Sequence, residues 1–145
     1  TGRRRGEFAS QTGDSYQPVV DGDGTVYFGE KSGYLYAVDR SGSEKWIDQT
    51  DKNYIYSGFA LGADGKAYIS QYASPFNLLS FDASGTRNVV MTIGAQTMSP
   101  VSIGPDNRLY YGLNGSVVAC EIGCSLAVEG WPMRGCNAQG TNSLK

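Results

Sequence analysis

The chain has 145 residues, of which 12 are Lys or Arg and 14 are Asp or Glu, so its formal net charge is −2. This charge gives the whole chain no general attraction for nucleic acid, and no run of about 18 apolar residues predicts a membrane span. The chain contains no histidine, which excludes histidine-based acid–base catalysis, Ser-His-Asp and Cys-His nucleophiles, and metal sites with histidine ligands.

Residues 1–15 are predicted to form an N-terminal segment whose three consecutive arginines lie in solvent. The first repeat covers 16–56 and alternates apolar and polar residues in the manner of strands. Its first turn ends at Gly24, because Asp-Gly pairs favour tight turns in which glycine tolerates a positive φ. Four strands are predicted in this repeat, at 16–20, 25–29, 34–39 and 43–46.

The second repeat covers 57–98 and has the same order of elements, with Gly65 in its first turn. A longer insert at 72–77 replaces the short second turn. Its strands are predicted at 58–61, 66–71, 78–82 and 87–92. The third repeat covers 99–131 and is followed by a tail at 132–145. Its strands are predicted at 100–103, 108–112, 116–122 and 125–131.

Each repeat has a turn with an aspartate, followed by a strand with a tyrosine at Tyr27, Tyr68 or Tyr110. These tyrosines lie 41 and 42 residues apart. A period in the 40s that is built from short strands and tight turns is typical of a β-propeller blade. The sequence therefore predicts an all-β fold of three four-stranded antiparallel blades, in which apolar sheet faces pack on neighbouring blades.

The segment from Gly24 to Trp46 resembles the blade repeat of pyrroloquinoline-quinone-like β-propellers. It reads Gly-Thr-Val-Tyr-Phe-Gly, then Gly-Tyr-Leu-Tyr-Ala-Val-Asp, and then Ser-Gly-Ser-Glu-Lys-Trp. The second repeat keeps Tyr68 and Asp82 of this pattern. Near the end of the chain, Trp131-Pro-Met resembles a segment that is common at the ends of such propellers.

The resemblance implies a ring of about four to eight blades. Three repeats then indicate either a partial propeller or half of a six-bladed ring that closes as a homodimer. The resemblance also implies a bacterial, extracytoplasmic protein. The favoured interpretation is a non-catalytic scaffold that binds a protein or glycan partner, with no nucleic acid, cofactor or metal. The alternative is a fragment of a quinoprotein dehydrogenase that uses pyrroloquinoline quinone and Ca²⁺.

Aromatic residues on predicted loops are the candidate binding residues, because tyrosine-rich loops on a rigid scaffold suit protein or sugar recognition. They are Tyr54, Tyr56, Tyr72 and Phe76. An alternative interpretation for Tyr56 is that its ring packs between blades.

Three acidic residues, Asp39, Asp82 and Glu121, recur at one position directly after a strand. Their carboxylates are expected to accept N–H bonds from the following turn, as in Asx turns, rather than to line a site. Asp21 and Asp23 are likewise assigned to turn chemistry rather than to a Ca²⁺ loop. The other residues assigned to the structure of the repeat are Gly24, Gly65, Trp46 and Trp131.

The chain has three cysteines. Cys120 aligns with apolar strand residues of the earlier repeats, so it is expected to be a buried thiol. Cys124 lies in a predicted turn and Cys136 lies in the tail. In an extracytoplasmic protein, Cys124 and Cys136 are expected to form a disulfide that ties the tail to the third blade.

Overall fold

The fold is all-β, as the sequence predicts. The computed structural model describes residues 7–50 and 55–133, and these residues contain eleven strands and no helix. The strands form three antiparallel sheets, here called the first, second and third sheets in chain order. In the same two ranges, no helix is long and apolar enough to cross a membrane.

The first and second sheets each have four strands, and the third sheet has three. The first sheet contains β1 (Val19–Val20), β2 (Val26–Gly29), β3 (Tyr34–Val38) and β4 (Glu44–Gln49). The second sheet contains β5 (Ala60–Leu61), β6 (Ala67–Ser70), β7 (Asn77–Phe81) and β8 (Arg87–Thr92). The third sheet contains β9 (Ser102–Ile103), β10 (Arg108–Leu113) and β11 (Ser116–Glu121). Strands that follow each other within a sheet are neighbours in it, because short connections join antiparallel strands.

Each of the first eleven predicted strands overlaps one observed strand, with ends that differ by a few residues. The prediction at 87–92 has the same bounds as β8. The first strand of every sheet is shorter than predicted and has only two residues. The repeat pattern therefore locates the strands well, whereas it overestimates how far the first strand of each sheet continues.

The twelfth predicted strand, at 125–131, is wrong. Residues 124–132, here called the crossing segment, leave the third sheet and run beside β5 and β1. Leu126 forms a bridge with Gly62, and Trp131 forms a bridge with Val20. The physical reason is that β5 and β1 are edge strands, whose outward N–H and C=O groups need partners when they are removed from water.

Backbone hydrogen bonds seat the crossing segment on both edge strands. Trp131 N donates to Val20 O at 2.6 Å, and Val20 N donates to Trp131 O at 2.9 Å. Leu61 N donates to Pro132 O at 2.7 Å, and Ala127 N donates to Leu61 O at 2.9 Å. The chain itself thereby supplies backbone partners to the β1 edge of the first sheet and the β5 edge of the second sheet.

Two apolar cores lie between consecutive sheets. The first core joins the first and second sheets and includes Trp46 and Phe81, whose rings stack with centroids 5.3 Å apart. The second core joins the second and third sheets and includes Leu78 and Leu109. Every residue of β6 and β7 is buried, so the second sheet lies between the other two. Stacking buries faces that a single sheet would leave in water.

The two outer faces of this stack differ. Residues 7–14, here called the N-terminal cover, lie over the outer face of the first sheet. The ring of Phe8 contacts those of Phe28 and Tyr36, with centroid distances of 6.1 and 5.5 Å. On the outer face of the third sheet, Val117 is 77% exposed. One end of the stack is therefore covered by the chain, whereas none of the residues in 7–50 and 55–133 covers the other end.

Candidate functional site

The connections between strands gather at two ends of the sheets, because successive antiparallel connections lie at opposite ends. The turn that joins the first and second strands of each sheet lies at one end, here called the turn end. The segments that lead into each sheet lie at the opposite end, here called the loop end. Both ends are candidates for binding, since connections on a rigid scaffold carry most binding residues.

At the turn end, the threefold sequence motif forms one tyrosine–aspartate hydrogen bond in each sheet. The pairs are Tyr27–Asp21, Tyr68–Asp64 and Tyr110–Asp106. The phenol donates to the carboxylate at 3.0 Å in the first pair and at 2.9 Å in the second. Each bond ties a strand to the turn before it, so local structure explains the motif without a shared ligand.

Asp21 also organises its own turn. Its Oδ1 accepts the N–H of Asp23 at 3.0 Å and the N–H of Thr25 at 2.8 Å, as expected for turn chemistry. Burial, followed by the charge of Asp21, raises the pKa of Tyr27, which therefore keeps its proton and donates. Within the described residues, no group of three or more His, Cys, Asp or Glu side chains could hold a metal ion.

Two of the three recurring acids form the expected Asx turns. Asp39 Oδ1 accepts the N–H of Ser41 at 2.8 Å, and Asp82 Oδ1 accepts the N–H of Ser84 at 2.9 Å. The hydroxyl groups of the same serines also donate to these carboxylates. These bonds lower the pKa of both carboxyl groups, because they stabilise the charged form.

Glu121 departs from this pattern. Its carboxylate is largely in solvent and accepts a hydrogen bond from Arg108, with Nη2 and Oε1 3.4 Å apart. The physical reason is that the chain leaves the third sheet after β11 and makes no turn into a fourth strand.

Gly24 and Gly65 adopt φ angles of +84° and +76°, the left-handed conformation expected of turn glycines.

At the loop end, Tyr16, Tyr56 and Tyr72 form a contact group, here called the tyrosine cluster. The rings of Tyr56 and Tyr72 meet edge to face with centroids 4.4 Å apart, and those of Tyr16 and Tyr56 lie 6.0 Å apart. All three side chains are half-buried. Tyr16 precedes β1, Tyr56 precedes β5 and Tyr72 follows β6, so three separate segments hold the cluster in place.

Polar and apolar groups border the tyrosine cluster. Lys31 Nζ lies 6.0 Å from the ring centroid of Tyr56, and Gln96 Nε2 donates to Tyr72 Oη at 3.3 Å. A cavity of about 90 Å³ leads from the cluster to Met98, which is 61% exposed. Aromatic faces beside an amide, a cation and an exposed apolar side chain are typical of a binding surface.

The four candidate binding residues occupy different places. Tyr56 and Tyr72 lie together in the tyrosine cluster, whereas Tyr54 lies outside the described residues. Phe76 does not join the cluster, because it packs half-buried against the second core. The insert that contains it is bonded to the residue directly after β8, since Ile93 N donates to Phe76 O at 2.7 Å.

The sequence gives weak signals for the other members of this surface. Tyr16 falls in a predicted strand, although the observed β1 begins only at Val19. Lys31 lies in the turn between β2 and β3 and Gln96 in the connection between β8 and β9, and neither segment has an unusual composition. They approach the tyrosines only because several connections fold toward one end of the stack, which is a tertiary property that repeat alignment does not report.

A larger cavity of about 330 Å³ lies at the turn end, between the turn that joins β1 to β2 and the crossing segment. Its lining includes Asp23, Glu129, Lys66 and Val128. Lys66 Nζ and Asp64 Oδ2 are 2.9 Å apart, so a positive and a negative group are adjacent at this cavity. Its lining includes one aromatic ring, that of Tyr27, whereas the tyrosine cluster brings three rings together.

The cysteines also differ from expectation. Cys120 on β11 is only half-buried, whereas Cys124 in the crossing segment is buried, with Sγ 3.7 Å from Tyr68 Oη. Burial raises the pKa of both thiols, which are therefore protonated and weakly nucleophilic near neutral pH. Cys136 lies outside the described residues, so its disulfide with Cys124 stays a prediction.

A buried carboxylate fastens the N-terminal cover to the first sheet. Glu30 is 0% exposed, and it accepts bonds from Thr12 Oγ1 at 2.9 Å, Thr12 N at 3.2 Å and Gly13 N at 3.3 Å. Ser32 and Tyr36 donate to the same carboxylate from the sheet. Burial alone would raise the pKa of Glu30, but the hydrogen bonds outweigh burial and lower it.

No family model matches this chain, and no curated protein matches it. The proposals below therefore rest on the residues and their geometry.

Proposed function

We propose that the chain is a three-blade portion of a non-catalytic, quinoprotein-like β-propeller that binds a protein or glycan ligand at its loop end. The repeat of about 40 residues supports the propeller interpretation, as does the stack of three sheets in chain order. Because a fold leaves function open, the binding role is argued from the residues at the loop end.

The tyrosine cluster is the observation that carries the binding proposal. Its rings come from three segments of a rigid two-sheet scaffold and remain partly accessible. Tyrosine offers a large contact area with few rotatable bonds, so it loses little conformational entropy when a ligand binds. Lys31 and Gln96 add hydrogen-bond donors at the border, which can orient a sugar hydroxyl or a peptide carbonyl.

The ionisable groups support a non-catalytic role. The chain has no histidine, and burial raises the pKa of the thiols of Cys120 and Cys124. At the turn end, the carboxylate of Asp64 is held by Lys66 and by Tyr68. These groups are engaged in structure, whereas a general base or nucleophile needs a tuned and accessible group.

The ligand is to be found first, by screening the whole chain against a glycan microarray and a random-peptide display library. The tightest binder is then titrated against a Tyr56→Ser/Tyr72→Ser double variant. We expect at least about tenfold weaker binding, because losing two aromatic contacts removes about 1–2 kcal/mol or more. Tyr110→Ser is the control, since Tyr110 is also half-buried but lies at the turn end.

Either of two results would contradict the proposal: the absence of a binder in both libraries, or a binder whose affinity the double variant leaves unchanged. Equal losses in the double variant and in Tyr110→Ser would mean that general destabilisation weakens binding. Melting curves of all variants separate that case from a local effect.

A second copy of the chain is the proposed partner for ring closure. In a six-bladed ring, the outer face of the third sheet of each copy would pack against the N-terminal cover that lies over the first sheet of the other copy. The exposed Val117 supports such a contact, and the N-terminal cover around Phe8 would then lie at the interface. Light scattering should give twice the mass of one chain. A single-chain mass at high concentration would exclude this closure.

A further inference from the structure

The rings of the tyrosine cluster are tilted against one another rather than aligned as one flat surface. The planes of Tyr56 and Tyr72 meet at 65°, and those of Tyr16 and Tyr56 meet at 57°. The edge-to-face contact covers one ring face with the edge of the other ring, and Lys31 Nζ lies over the ring of Tyr56. A sugar ring needs one open aromatic face to stack on, so this geometry favours a ligand that enters a cleft between rings.

The cavity of about 90 Å³ beside the cluster is such a cleft. Its lining is mainly aromatic and aliphatic, and includes Tyr16, Val19, Tyr56, Phe59, Met98 and Pro100. A water molecule occupies about 30 Å³ in the liquid, so the cavity holds a group about as large as three waters. The methylene groups of a single proline ring match this size and this apolar lining, whereas a hexose with its hydroxyl groups is too large.

The polar groups that border Tyr56 and Tyr72 are hydrogen-bond donors. The ammonium group of Lys31 can only donate, and Gln96 Nε2 donates to Tyr72 Oη at 3.3 Å. Because Tyr72 Oη accepts this bond, its own O–H is left to donate. The border therefore suits a ligand that presents carbonyl oxygens. A proline-rich peptide presents one at every residue and has few N–H groups that need an acceptor.

The backbone of a proline-rich peptide is also prepared for binding. It adopts the polyproline II helix, with three residues per turn and no internal hydrogen bonds, before it meets a partner. Such a peptide loses little conformational entropy when it binds, and aromatic-lined grooves are the surfaces that recognise it. A small cleft between rigid tyrosine rings meets this requirement.

The sequence shows that this chain does not itself supply such a peptide. Its five prolines are Pro18, Pro75, Pro100, Pro105 and Pro132. The closest two, Pro100 and Pro105, are five positions apart, so the chain has no proline-rich stretch. None of the five falls in residues 1–6, 51–54 or 134–145, which lie outside the described residues. Neither these segments nor a second copy is therefore a source of the ligand, which belongs to another protein.

We propose that the tyrosine cluster binds a proline-rich segment of a partner protein in the polyproline II conformation. One proline ring enters the 90 Å³ cavity, and a second proline packs on the ring of Tyr72. Carbonyl groups of the segment accept hydrogen bonds from Tyr72 and Gln96. This inference rests on the proposed binding function of the loop end and narrows its ligand to one class.

The probe is decaproline with a fluorescein label, titrated into the whole chain and followed by fluorescence anisotropy. The control peptide has the same length and label and alternates glycine with serine. It offers the same number of carbonyl groups on a flexible backbone without rings. We expect saturable binding of decaproline and at least about tenfold weaker binding of the control peptide.

The matched protein variants are Gly58→Leu and Gly58→Ala. Gly58 lines the cavity and is not among the glycines with a positive φ. A methyl group at this position meets only Gln17 O, at 3.4 Å, so alanine is accommodated. The longer side chain of leucine fills the cavity and leaves the tyrosines in place. We expect Gly58→Leu to weaken decaproline binding at least about tenfold, and Gly58→Ala to bind within about twofold of the native chain.

The Tyr56→Ser/Tyr72→Ser double variant gives a second test that does not depend on leucine at position 58. It is expected to weaken decaproline binding at least about tenfold, and melting curves show which variants are folded. Absence of decaproline binding, equal binding of the control peptide, or unchanged affinity in either folded variant would overturn the inference. Equal binding of a labelled peptide with the sequence of residues 134–145 would also overturn it, since the chain itself would then supply the occupant.

Failure of this inference is distinguishable from failure of the proposed function. If a glycan or a peptide without proline binds instead, and the double variant weakens that binding, the proposed function stands and only the ligand class is wrong. If neither decaproline nor any member of the two libraries binds, both proposals are wrong.

Discussion

Gly130→Ala is expected to destabilise the chain by more than about 3 kcal/mol, or to prevent folding. Gly130 lies in the crossing segment with φ +79°, a conformation that costs alanine about 1–2 kcal/mol. A methyl group there would lie 2.6 Å from Asp21 C and 2.7 Å from Asp21 O, and closer still to Val20 O. These are backbone atoms, so no rotamer change relieves the overlap and the segment must lift from β1.

Gly115→Ala is the matched control. Gly115 has the same φ of +79°, but a methyl group there meets no atom within 4 Å. We expect Gly115→Ala to lower the free energy of unfolding by only about 1–2 kcal/mol, which is the cost of placing alanine at a positive φ. Urea unfolding of both variants, followed by tryptophan fluorescence, isolates the steric contribution as the difference. Equal losses would mean that the crossing segment does not sit on β1 as described.

Glu30→Gln is expected to lower the free energy of unfolding by about 2–4 kcal/mol, since it removes several bonds to a buried charge. The amide keeps the size of the side chain but presents N–H groups to Thr12, Gly13 and Tyr36, which are donors themselves. Glu44→Gln is the control, because Glu44 is an exposed glutamate on β4. A change of similar size in both variants would contradict a special role for Glu30.

The loss of stability in Glu30→Gln should also depend on pH. The folded chain holds the pKa of Glu30 below its ordinary value. The ionised carboxylate therefore stabilises the fold fully at pH values above that ordinary pKa. The stabilisation disappears as the pH falls through the lowered pKa. The stability difference between the native chain and Glu30→Gln should therefore be constant near neutral pH and shrink below about pH 4. Urea titrations at several pH values test this trend.

Local patterns predict much of this fold. The tyrosine period locates the strands, because each strand, turn and tyrosine–aspartate bond is made within a few residues. The bounds of β8 and the Asx turns at Asp39 and Asp82 belong to this class. Such features depend on neighbours in the chain, and those are visible in any single sequence.

Features that depend on distant parts of the chain could not be predicted. The stretch 125–131 has the composition of a strand, but its partners at Val20 and Gly62 leave no periodic trace. The same holds for the burial of Glu30, which looks like an ordinary turn residue until the N-terminal cover is placed over it. The sequence predicts two members of the tyrosine cluster, because Tyr56 and Tyr72 lie on predicted loops. It does not predict the third, since Tyr16 falls in a predicted strand.

The crossing segment has a consequence for the order of folding. The bridge between Val20 and Trp131 spans most of the chain, and such distant pairings raise the loop-closure entropy that folding must overcome. During synthesis the first two sheets can form before their edge strands acquire a partner. Until Trp131 leaves the ribosome, β1 and β5 stay open to foreign strands. We therefore expect that nascent chains truncated before this residue depend on chaperones.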